Sequence, residues 1–99
     1  MFNMRKINVH PHLKMRMEER GVSIEEIEIT LEKGFATSDA KPGTYGKSFI
    51  FPYNKEWCGK FFSEKEVTIY YKEVEEEIIV LTVIARYGNF SQTEEKNEI

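Results

Sequence analysis

Apolar positions recur at helical spacing in the first third of the chain, and from Phe35 onward they alternate. After a short lead over residues 1–9 that has no clear period and is expected to be extended through Ile7 to Val9, Pro11 suits the first turn of a helix, where its missing N–H costs nothing. Leu13 and Met17, four apart, form an apolar seam, and Gly21 follows as a left-handed stop, so helix one is predicted over residues 11–20. Ser23 and Glu26 have capping-box spacing, Val22 and Ile27 that of a hydrophobic staple. With Ile24, Ile27 and Leu31 as its buried stripe and Gly34 as its cap, helix two is predicted over 24–33.

A short strand is predicted near Phe35 to Asp39 and a turn at Lys41-Pro42-Gly43. Tyr45 to Tyr53 alternates as a strand ended by Pro52, and Asn54 to Lys60 is expected to be a loop. Val67, Ile69 and Tyr71 share one face of the next strand, with Thr68, Tyr70 and Lys72 on the other. After a turn at Glu75 to Glu77, the β-branched run Ile78 to Tyr87 is expected at the centre of the sheet, covered on much of both faces. The expected fold class is α+β: two N-terminal helices packed on a four-stranded antiparallel meander sheet, one domain over 1–88 and a polar tail over 89–99.

Composition narrows the function classes. A chain of 99 residues holds one core, and 13% aromatic content argues for packing although 31% of residues are charged. The single cysteine, Cys58, excludes an internal disulfide, and two histidines leave no metal set; no metal and no cofactor are expected. No apolar run approaches a membrane span and no secretory segment follows the basic start, so the expectation is a cytoplasmic protein without a membrane partner. Motifs for nucleotide phosphates, dinucleotides, serine hydrolysis and zinc proteolysis are absent. The net charge is −3, yet residues 1–22 and 41–60 each carry +3, and together they would form a positive surface on an acidic body.

Three groupings carry candidate chemistry. His12 and Arg16 lie a turn apart on helix one with Arg20 a further turn on, an imidazole to move a proton beside guanidinium groups to hold phosphate; the same spacing equally serves ion pairs with Glu18, Glu19 or helix two. Arg86 and Tyr87 end the last strand, where alternation points them to opposite faces. Residues 53–62 interleave Lys55 and Lys60 with Tyr53, Trp57, Phe61 and Phe62, the composition of single-stranded RNA binding and also of core rings with solvated neighbours.

The string His12-x-x-x-Arg16-Met17-x-Glu19-Arg20-Gly21-Val22-Ser23 resembles the opening of a prokaryotic family of small uncharacterised domains, a branch similar to the RelE/ParE-like toxins. That resemblance implies a metal-independent endoribonuclease toxin paired with an antitoxin protein that adds a strand at a sheet edge, with RNA or the ribosome as target. Its catalytic residues would be His12, Arg16, Arg86 and Tyr87, and its RNA-binding residues Arg20, Lys60, Lys65 and Tyr70. The alternative is a non-catalytic protein- or RNA-binding module of the same fold, and a third reading is a homodimer through the aromatic residues around Trp57.

Overall fold

The computed structural model describes residues 6–9 and 11–90. The chain runs β1 (Lys6–Asn8), α1 (Pro11–Arg20), α2 (Ile24–Lys33), β2 (Phe35–Ala36), β3 (Tyr45–Trp57), β4 (Lys60–Val74) and β5 (Glu77–Gly88). The described residues form an α+β fold of two helices and a five-stranded mixed sheet in the order β1-β5-β4-β3-β2.

Both helices form where their spacing places them. Gly21 ends α1 at φ 71°. The Ser23 hydroxyl accepts from Glu26 N at 3.1 Å while Ser23 N donates to Glu26 Oε1 at 3.0 Å, completing the capping box. Ten-residue helices are marginal alone, so packing holds them. Leu13 and Met17 of α1 and Ile27 and Leu31 of α2 share one core with Val67, Ile69 and Tyr71 of β4 and Ile78, Val80 and Val83 of β5. Each fully buried aliphatic side chain there contributes roughly 1.5–3 kcal/mol. Lys47 of β3 secures the far end of α2, its Nζ donating to Leu31 O at 2.7 Å, where the helix leaves carbonyls unpaired.

The sheet departs from a four-stranded antiparallel meander. The lead segment supplies a fifth strand, β1, which pairs in parallel with β5 through Lys6↔Glu77, Ile7↔Ile78 and Asn8↔Ile79. That pairing is remote in sequence, so no local turn signal announces it. Consequently β4, flanked by β3 and β5, occupies the middle, and β5 is covered on one face only, leaving Leu81 and Ile84 exposed. The strand near Phe35 shrinks to the two residues of β2.

The expected loop at 54–60 is instead the end of a long hairpin. Trp57 pairs with Lys60 across a two-residue turn whose members, Cys58 and Gly59, have φ 53° and 85°, the positive pair that matches strand twist. Pro52 does not end β3: β2 pairs only with Lys47 and Ser48, leaving the edge at Pro52 without a ladder, and the chain absorbs the irregularity in a register shift between Pro52 and Lys55. A second shift lies in β5, where Tyr70 pairs with Thr82 and Tyr71 with Val80, so Leu81 is an extra residue. The expected tail begins with Asn89, whose Oδ1 accepts from Ser63 N and from the Ser63 hydroxyl; residues 91–99 lie outside the described residues. Among the described residues no helix is long and apolar enough to cross a membrane.

Candidate nucleic-acid interface

The helix-covered face of the sheet ends, beyond α1, in a group of rings. Across the β3–β4 hairpin Lys55 pairs with Phe62 and Trp57 with Lys60, and the rings of Tyr53, Trp57 and Phe62 gather around Tyr87 of β5. Trp57 stacks on Tyr87 with centroids 4.9 Å apart and planes 10° from parallel. Tyr53 meets Tyr87 edge-on at 5.2 Å, and Phe62 lies tilted at 5.8 Å. Lys55 Nζ stands 5.4 Å from the Tyr53 centroid and Lys60 Nζ 5.8 Å from that of Phe62. Both lysines are exposed, while Tyr53, Trp57 and Phe62 are half-buried, so rings and charges together border solvent.

The platform has a rigid floor. Lys65 is buried at 3% exposure, its Nζ 2.9 Å from Glu26 Oε1, 3.0 Å from Oε2 and also donating to Gly21 O. The same ammonium is 5.7 Å from the centroids of both Tyr53 and Tyr87. Tyr87 Oη donates to Arg20 O at 2.8 Å. Burial, with smaller contributions from Tyr53, Glu26 and Cys58, pushes its phenol up to about 12. Gly21 makes this junction close: a Cβ there would stand 2.7 Å from two ring carbons of Trp57 and 2.9 Å from Tyr87 Oη.

The residues singled out as catalytic are spread over the molecule. His12 is exposed on α1 and Arg16 half-buried, both on the helix layer. Arg86 lies on the opposite, uncovered face, its Nε 2.8 Å from Glu66 Oε1 and its guanidinium 5.0 Å from the Phe90 ring. Tyr87 faces the helices and is engaged by Arg20 O, as strand alternation requires of Arg86's neighbour. Of the four residues singled out for RNA, Lys60 stands on the platform in solvent and Lys65 is sealed in its floor. Arg20 borders the platform, and its Nη1 is enclosed with no hydrogen-bond partner among the described residues. Tyr70 is on the uncovered face, its hydroxyl 3.0 Å from both carboxylate oxygens of Asp39. Lys55, Trp57 and Phe62 join the site although the sequence marks them only by composition; the missing signal was the two-residue turn at Cys58-Gly59, which fixes the alternation on both sides of it.

These features define a small α+β domain with helices on one sheet face and an aromatic, lysine-flanked hairpin end. Residues 9–85 match the family described as Domain of unknown function (DUF4258), and the chain belongs to that family. No curated protein and no solved structure matches the chain.

Proposed function

We propose that this domain is a non-catalytic module that binds single-stranded RNA on the face formed by Tyr53, Trp57, Phe62, Lys55 and Lys60. The observation that carries the reading is the gathering of half-exposed rings and two exposed ammonium groups on one side of the β3–β4 hairpin. Bases have π faces that stack on such rings regardless of sequence, and lysines track the phosphates between them. The floor of Lys65, Glu26 and Tyr87 lets the rings meet a strand without first being ordered.

Fluorescence anisotropy with a labelled single-stranded oligoribonucleotide tests this. Binding is expected to weaken with salt, and Lys55→Ala with Lys60→Ala is expected to lower the slope of log K against log salt by about 1.4. Retention of the wild-type slope and affinity in that double variant would overturn the proposal, as would absence of binding at about 100 μM protein, a range that includes typical non-specific nucleic-acid affinities.

A second reading is the metal-independent endoribonuclease of a toxin–antitoxin pair with a RelE/ParE-like fold, and the spacing of His12, Arg16 and Arg20 along α1, ending at the enclosed Arg20 Nη1, favours it. There His12 would take the proton of a 2′-hydroxyl, whose oxygen bonds to the adjacent phosphorus as the P–O5′ bond breaks; guanidinium groups would hold the phosphate, and the departing 5′-oxygen would be protonated by water. Cleavage products bearing a 2′,3′-cyclic phosphate, lost in His12→Ala, would establish this reading over the first.

A further inference from the structure

The uncovered sheet face carries a second concavity, remote from the aromatic platform. It measures about 290 Å³ and is lined by Asp39, Lys41, Thr44, Tyr70, Leu81 and Thr82. Its shape follows from two irregularities. Gly46, Tyr70 and Thr82 form one row across β3, β4 and β5. Because Gly46 has no side chain, the Tyr70 ring lies over it; a Cβ at Gly46 would come within 2.9 Å of that ring. The ring therefore leans toward β3, where its hydroxyl reaches Asp39, and leaves space above Thr82. On the other side the bulge at Leu81 turns an aliphatic side chain, 41% exposed, into the wall. The rim is fixed by a turn in which Thr44 N and Thr44 Oγ1 both donate to Lys41 O, at 2.9 and 2.7 Å.

The lining selects by charge. The Asp39 carboxyl, which accepts from the Tyr70 hydroxyl at 3.0 Å, is an anion at neutral pH. A phosphate or nucleic-acid strand would meet that carboxylate. A divalent cation would find one carboxylate where it needs several oxygens, and a simple amine would meet Lys41. What satisfies the set is a small molecule carrying both charges: an ammonium beside the Asp39 carboxylate and the Tyr70 ring, a carboxylate beside Lys41, and an apolar portion against Leu81. We propose that this concavity binds a free α-amino acid with an aliphatic side chain. The two threonine hydroxyls add polar contacts, and the volume suits one such molecule.

Isothermal titration with L-leucine, N-acetyl-L-leucine and L-leucine methyl ester, alongside amide chemical-shift mapping, tests the proposal. Saturable binding of L-leucine on the order of 1 mM or tighter is expected, with shifts concentrated at Thr44, Leu81 and Thr82. Each derivative, lacking one charge, should bind at least about tenfold more weakly, as should Asp39→Asn and Lys41→Gln with the parent ligand. Absence of saturation at about 50 mM would overturn it, well beyond the stated affinity. Equal binding of the derivatives, or unchanged binding in both variants, would do the same. RNA affinity is read on the same samples and depends on other residues, so either proposal can fail alone.

Discussion

Lys65 shows how a single position changes meaning between sequence and structure. Its spacing with Val67, Ile69 and Tyr71 already puts it on the core face of β4, but the groups that make burial tolerable, Glu26 and Gly21 O, are 39 and 44 positions away. No local pattern reveals them, so the lysine reads as a surface cation. Because Lys65 is nearly sealed while Glu26 retains some solvent contact, Lys65→Ala is expected to cost about 2–4 kcal/mol in urea unfolding, mostly through the carboxylate left behind. Tyr87 gives a second test. A phenol whose folded value is raised from 10.0 to about 12 favours the fold fully below pH 10, and that contribution is lost as pH rises toward 12. Burial and the neighbouring Asp39 carboxylate also raise the Tyr70 phenol. Ultraviolet titration of Tyr87→Phe against the parent should therefore show the loss of one late-ionising tyrosine while that of Tyr70 stays, with the stability contribution of Tyr87 falling across the same interval.

At the level of elements, the helices were legible because their signals are local: Pro11, Gly21, the Ser23–Glu26 box and Gly34 each act within one turn. The strands were legible in their facing but not in their ends. The bulge at Leu81 escaped because Val80 and Val83, three apart, are both buried, a spacing that a continuous β-branched run disguises as burial on two faces. The hairpin end escaped because Cys58 is an unusual residue at positive φ. Two glycines with similar backbones separate strain from crowding. Gly59, at φ 85° with open space around it, should lose about 1 kcal/mol on change to alanine. Gly21→Ala, meeting Trp57 as well, should lose about 2 kcal/mol or more and weaken RNA binding by displacing the ring; thermal unfolding beside anisotropy measures both.

Across the whole molecule, the two sheet faces have different occupations. One carries the helices and ends in the ring platform; the other holds the Asp39–Tyr70 concavity and the Arg86–Glu66 pair. The sequence showed alternation between faces but not which strand sits centrally, because that choice depends on the remote pairing of β1 with β5. Native-state hydrogen exchange should find the slowest amides in β4, bonded on both sides, and faster ones in β2 and at the β3 edge near Pro52.

The junction of β1 with β5 also orders events during synthesis. The strand β1 and α1 emerge before the surface against which they settle, β5, the last of the described strands in chain order. Until then Leu13 and Met17 have only nascent neighbours, and closure waits on a contact between distant stretches of chain. A ribosome stalled before Ile78 would therefore present an open half-sandwich, the species most inclined to be captured by a chaperone.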